Sequence, residues 1–244
     1  MERICKISVK PMLGLIIFVL FISSCGEPCI DGNGRIRTEA REINGFTNIT
    51  MLGDFDIYIE QSAVYEVIVE GDENLLPYVQ IEKRSTNTLE IRNANNRCLR
   101  SSQPIRVTIK SPDVFRVTNG GSGYIRCDNV FNDEFEVILS GSGEIECFNM
   151  DTYDLLATLS GSGKISLDGE AIGSEMELSG SGKIDAFDLN LDECYITISG
   201  SGDAYVFVMD YLNVSIPGSG SVFYSGNPTT VVKRIDGSGS VIRR

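Results

Sequence analysis

The sequence predicts an all-β fold: a parallel β-helix, a solenoid with coils of about 20 residues, preceded by a β-rich capping half. Three observations predict it. The tripeptide Gly-Ser-Gly occurs seven times in the second half, with its first glycine at positions 121, 141, 161, 180, 200, 218 and 237, a regular period of 18 to 20 residues. Apolar residues flank these corners at steps of two, the periodicity of extended chain. No stretch of residues 119–244 shows the i, i+3, i+4, i+7 pattern of a helix that would cross back between parallel strands.

The first residues stand apart from that fold. Arg3, Lys6 and Lys10 form a basic segment, Met12 to Ile22 is an apolar run of signal-peptide length, and Ser23, Ser24 and Cys25 follow. The run is too short to span a bilayer by itself. Ile22-Ser23-Ser24-Cys25 resembles the bacterial lipobox, which implies a lipoprotein signal peptide over residues 1–24 and lipidation of Cys25. An ordinary secretory signal with an incidental cysteine is the competing reading. Acyl chains contribute about 0.8 kcal/mol per buried CH₂, so several of them hold a soluble domain on a membrane. By analogy with bacterial lipoproteins, Gly26 after the cysteine points to the outer membrane, with the domain facing the periplasm or the exterior. Residues 25–40 then read as a tether.

Composition narrows the chemistry. Removing residues 1–24 takes one acid and three bases from totals of 34 and 21, leaving a net charge of −15. Such a surface repels nucleic acid and anionic headgroups, so the membrane partner is reached through the lipid anchor. The chain has no His, the commonest general base and transition-metal ligand, and no CxxC pair. No cofactor and no metal are expected. If Cys25 is lipidated, Cys29, Cys98, Cys127, Cys147 and Cys194 remain, an odd number.

Residues 41–118 lack Gly-Ser-Gly but not strands. Phe55 to Ile59, Val64 to Glu70, Leu89 to Arg92 and Ile105 to Ile109 alternate in polarity, punctuated by Gly53-Asp54, Gly71-Asp72 and Ser111-Pro112-Asp113. Only Asn74 to Val79 has a helical turn in prospect. This half is expected to cap the first coil, because an open parallel edge recruits other chains.

Residues 119–244 are the coils. Four residues after the first glycines stand Ile125, Ile145, Ile165, Ile184, Ala204, Val222 and Val241; two before the later six stand Leu139, Leu159, Leu178, Ile198, Ile216 and Ile235. Stacked about 4.8 Å apart, such coils superpose like on like. The parity of two runs through Leu159-Ser160-Gly161-Ser162-Gly163-Lys164-Ile165, so both glycines are expected to face inward at a corner where opposite walls leave no room for a Cβ, with the serines outward.

Arg41-Glu42-Ile43-Asn44-Gly45-Phe46 followed by Ile49, then Gly71-Asp72-Glu73-Asn74-Leu75 and the Gly-Ser-Gly coils, resembles the head-GIN domain family of putative autotransporter adhesins over residues 40 to 240. The resemblance implies an exported all-β protein with a right-handed parallel β-helix, and it brings no catalytic residues.

The candidate sites lie on outward columns. Glu144 beside Glu146, and Asp185 beside Asp203, are the carboxylate pairs that a carbohydrate-active β-helix enzyme would need; the bland reading is solvated ladder pairs contributing about 0–1 kcal/mol. No catalytic residue is assigned. Tyr205 and Phe223 with Ile242, and Tyr195 on the other strand, form an aromatic strip suited to a glycan or surface-protein ligand, unless a change of register in the last coils turns them into core. Cys127 and Cys147 occupy equivalent inward positions, as a disulfide or as small buried hydrophobes; Cys29 and Cys98 are a second candidate pair. Arg243 and Arg244 follow the last corner, either as gatekeepers against stacking or beneath another subunit in an oligomer. The expected function is thus a non-enzymatic, lipid-anchored envelope protein presenting a rigid surface for adhesion or ligand binding, with a carbohydrate-active enzyme and a purely structural component as alternatives.

Overall fold

Alternating side chains carry the chain through stacked coils, each with a wall leading into its Gly-Ser-Gly corner (wall 1), a wall leaving it (wall 2) and a short return segment. The computed structural model describes residues 28–244, so the signal segment and Cys25 lie outside the described residues. On wall 2, Tyr124, Glu144, Lys164, Lys183, Asp203, Ser221 and Ser240 stack in parallel register. Inside them runs the column Ile125, Ile145, Ile165, Ile184, Ala204 and Val222, wholly buried. On wall 1 the matching column is Leu139, Leu159, Leu178, Ile198 and Ile216. These columns and the core of the capping half form one hydrophobic cluster. Burying a side chain of this size contributes about 1.5–3 kcal/mol, and every coil adds several. No α-helix occurs among the described residues; the turn expected near Asn74 is a 3₁₀ turn, Leu76–Tyr78.

Glycine is required at the corners for a reason other than the one the parity suggests. A Cβ on Gly161 would not meet an opposite wall; it would run into the backbone of Gly141 on the coil beneath, and one on Gly180 into Gly161. The column of first glycines lets successive corners approach face to face. The second glycines from 123 to 220 are buried and close on the backbone of the coil beneath, and several also on the leucine and isoleucine column, as Gly163 does on Gly143 and Leu139. The corner serines 122, 142, 162, 181, 201, 219 and 238 are all exposed. At the first corner Asn119 takes the place of the inward leucine. It is buried, donates to the Gly123 carbonyl at 2.9 Å and accepts from the Gly121 N–H at 3.0 Å.

The capping half stacks out of sequence order. Asn48–Leu52 and Asp56–Gln61 form a coil on top of which lie Arg116–Asn119 and Tyr124–Asp128. Beneath the same coil lie Thr88–Asn93 and Arg106–Ser111, also parallel to it. Antiparallel strands then close the parallel edge: Val79–Lys83 on Thr88–Asn93, and Glu66–Asp72 on Arg106–Ser111. Such a lid leaves no parallel edge at this end to template another chain.

The segment read as a tether is folded from Cys29 onward. Ile36–Ala40 adds an antiparallel strand to Glu66–Asp72, and Ile30–Asp31 pairs with Leu99–Arg100. A disulfide joins Cys29 to Cys98, 69 residues apart, a loop whose closure stabilises by about 4 kcal/mol on chain-entropy grounds. Beside it, the buried Asp72 carboxylate accepts from the Gly34 N–H at 2.6 Å, the Ser102 N–H at 2.8 Å and the Ser102 hydroxyl at 2.9 Å. Burial alone would raise its pKa, but these donors together hold it below the ordinary carboxylate value. The bridge joins the second of the two candidate cysteine pairs, whereas the Asp72 contacts are made by loop residues without periodicity, which the pattern of the sequence does not announce.

Candidate functional site

Along the outer face of wall 1 runs a cleft of about 640 Å³. Its floor is the column Phe135, Leu155 and Ser174, and it ends beneath Tyr195. One rim is the column Glu136, Leu156, Glu175 and Tyr195, the other Glu134, Asp154, Gly173 and Glu193. Because each coil rises about 4.8 Å, the four steps from Arg116 to Tyr195 cover about 19 Å, and Asn48 and Asn87 continue the cleft onto the capping half. Exposed rings stand at the Tyr195 end, at 45% accessibility, and at Phe115, at 43%, where the cleft passes onto the capping half. Gly173 interrupts its rim and opens a notch; a Cβ there would come within 3.0 Å of the Asp154 carboxylate.

The floor is rigid and chemically quiet. Ser174 donates to the Glu193 carbonyl at 3.4 Å, and burial pushes the underlying Cys194 thiol up to about 12, against a smaller opposite pull from Ser174. Arg116 pairs with Glu136 at one end. The cleft is therefore a preformed acidic trough between aromatic posts, suited to holding an elongated ligand and carrying no activated nucleophile.

The predicted aromatic residues divide between two walls. Tyr195 belongs to the cleft and leans on Tyr211, with ring centres 5.6 Å apart. Tyr205 and Phe223 lie on wall 2, stacked at 4.8 Å, with Phe187 edge-on to Tyr205 at 5.4 Å. The register does not change there: Val206 and Tyr224 take the inward positions. Cations cover the stack, Lys183 Nζ 4.1 Å from the Tyr205 centroid and the Arg244 guanidinium 4.4 Å from that of Phe223. Of the three, Tyr195 alone borders the cleft.

The carboxylates considered for catalysis are engaged within the ladder. Glu144 accepts from Lys164 at 3.0 Å, and this bond raises the lysine pKa. Glu146 accepts from the Tyr124 hydroxyl, Asp185 pairs with Lys183 at 2.7 Å, and Asp203 accepts from the Ser221 N–H at 3.0 Å. Among the described residues no group of three or more His, Cys, Asp or Glu side chains is placed to hold a metal ion, and no helix is long and apolar enough to cross a membrane.

Cys127 and Cys147 stack as register partners but are free thiols, wholly buried; the disulfide is the Cys29–Cys98 pair. Hydrogen bonding to Cys147, and then burial, raise the Cys127 pKa well above its ordinary value, so both sulfurs act as small core residues.

Periodicity counted only to four residues before each corner misses the cleft and the corner beside it. Eight or nine residues before the first glycines stand Asp133, Tyr153, Ile172, Asp192 and Met209. They form the turn between the return segment and wall 1, and Tyr153, Ile172 and Met209 are exposed. A second cleft, of about 460 Å³, lies on the far side of this corner. Extending the same alignment by four positions would have found the column.

Fold and face together define a class: a parallel β-solenoid that displays a grooved outer wall. Residues 45–228 match the family described as "Putative auto-transporter adhesin, head GIN domain", and the chain belongs to that family. Three solved structures share the architecture. A putative adhesin from Bacteroides fragilis superposes with a TM-score of 0.83 at 22% identity, over 88% of this chain and 100% of that one. A putative lipid binding protein from Parabacteroides distasonis gives 0.74 at 27% identity, over 89% and 100%, and a putative adhesin from Parabacteroides merdae 0.70 at 24%, over 88% and 98%. No curated protein matches.

Proposed function

We propose that this protein is a non-enzymatic lipoprotein of the cell envelope whose solenoid presents the wall 1 cleft to an external ligand, as an adhesin does. The observation that carries the reading is the cleft itself, a preformed trough along several coils with exposed aromatic rings at Phe115 and Tyr195, on a wall held by continuous parallel pairing. Membership of an adhesin-like family supports it. The lipobox around Cys25 supports lipid anchoring in the outer membrane, and the Cys29–Cys98 staple begins the folded domain four residues after that cysteine. One structural relative is described as a putative lipid binding protein. An acyl chain suits this cleft poorly, because its rims carry Glu134, Asp154, Glu175 and Glu193, whose carboxylates would lose water without gaining partners.

The test is adherence of cells making the wild-type protein or the Phe115→Ala/Tyr195→Ala double variant to immobilised matrix proteins and glycans, with surface protein quantified by antibody. The double variant is expected to lose adherence at equal abundance. Unchanged adherence would sink the assignment of the cleft. Cys25→Ala is expected to move the protein from the membrane fraction to the soluble one; retention in the membrane would remove the lipid anchor from the reading.

A further inference from the structure

We infer that the corner between the two clefts is a docking surface for a cationic, amphipathic polypeptide segment, one in which Lys or Arg alternates with apolar residues. This rests on the reading of the wall 1 cleft as a ligand site and names the ligand's class.

The apolar part comes first. Tyr153, Ile172 and Met209 expose 59%, 49% and 53% of their surface along one corner, where solvent alone would favour polar side chains. Tyr195 exposes its ring on the wall 1 side of that corner, and Phe207 lines the cleft on the other. Clustered exposed apolar residues rimmed by polar ones mark an interaction surface.

Charge then selects the occupant. Asp154, Glu175 and Glu193 border the wall 1 cleft, and Asp151, Glu170 and Asp192 the other. Among the described residues none of these six takes part in an ion pair, whereas on wall 2 Glu144 and Asp185 are matched by lysines. Among the described residues the only basic one lining either cleft is Arg116, already paired with Glu136. A ligand bringing cations gains interactions without displacing any. An anionic polysaccharide or phospholipid surface is repelled, and a neutral glycan donates hydroxyl hydrogen bonds to the six carboxylates but leaves their charge unmatched. A polypeptide in extended form advances about 3.3 Å per residue and turns alternate side chains to opposite sides. About six residues cover the 19 Å from Arg116 to Tyr195, with apolar side chains turned to the corner and cations to the rims.

The experiment measures fluorescence anisotropy of three labelled peptides against the full-length protein in non-ionic detergent, at low and high salt: alternating Leu-Lys, alternating Leu-Glu and alternating Ser-Lys. The Leu-Lys peptide is expected to bind at least about tenfold more tightly than either control. Glu175→Gln/Glu193→Gln is expected to weaken it about fivefold and to flatten its salt dependence. Tyr153→Ser/Ile172→Ser is expected to weaken it while leaving the salt dependence in place. These surface variants are expected to keep the thermal midpoint of the parent, and that measurement checks the fold. Equal binding of the Leu-Glu peptide, or indifference to Glu175→Gln/Glu193→Gln, overturns the inference. So does salt-sensitive self-association in sedimentation that the same double variant abolishes, because the occupant is then a second copy. Loss of cell adherence in Phe115→Ala/Tyr195→Ala without any Leu-Lys binding would overturn the ligand class alone; peptide binding with unaltered adherence would overturn the adhesive role alone.

Discussion

Replacing Gly161 with alanine adds one methyl group where the structure has no room for it. Its Cβ would overlap the carbonyl oxygen of Gly141 and lie 2.8 Å from the carbonyl carbon and 3.0 Å from the Ser140 oxygen. All three are backbone atoms of the coil beneath, which cannot swing aside as a side-chain end would. The corner must therefore lift, stretching the bonds to the coil beneath, from the Ser160 N–H to the Leu139 carbonyl at 2.9 Å and from the Lys164 N–H to the Gly143 carbonyl at 3.2 Å. Overpacking costs about 1–3 kcal/mol and each weakened backbone bond about 1 kcal/mol, so the expected loss is about 3–5 kcal/mol, with valine at or above the top. Urea denaturation followed by far-UV circular dichroism reads the loss. Amide exchange along residues 144–178 localises it, since coils of a solenoid need not unfold together. The exposed Ser162→Ala in the same tripeptide should stay within about 0.5 kcal/mol of the parent. A Gly161→Ala protein with an unshifted urea midpoint would refute the stacked-corner argument.

Two further outcomes are expected. Because Asp72 is held below its ordinary value of 3.8, its ionised form contributes stability that is complete above that pH and is lost as pH falls through the lower folded value. Amide exchange at residues 32–34 and 102 should therefore accelerate below about pH 4, and Asp72→Asn should abolish that dependence. In native protein, maleimide labelling should spare Cys127, Cys147 and Cys194; denaturation without reductant should expose all three, and Cys29 and Cys98 only after reduction. Labelling of Cys29 and Cys98 before reduction would contradict the staple.

What could be read from the sequence was what repeats. Ile145, Ile165 and Ile184 share a column because equal spacing must superpose in a stack, and the corner glycines are essential because they recur. The physical cause at the glycines was misassigned, since parity describes which face a residue occupies and is silent on the coil below. The swapped order of the capping half was hidden for a related reason: Thr88–Asn93 and Arg106–Ser111 pair with strands tens of residues earlier, and no local pattern encodes a long-range choice of neighbour. The Cys29–Cys98 bridge depends on that arrangement and was correspondingly open. Of the site, Tyr195 was legible as an outward aromatic, whereas the trough it borders arises from Gly173 and from rim columns on several coils.

The coil of Asn48–Leu52 and Asp56–Gln61 is sandwiched between pieces of chain that are made after it. While the polypeptide is being synthesised, that coil emerges with both its hydrogen-bonding edges vacant, and neither neighbour exists until the strands beyond residue 88 follow. Residues 29–128 thus have to condense together, as a seed with its lid already shut, and every later coil can then be laid on singly, in the order of its synthesis.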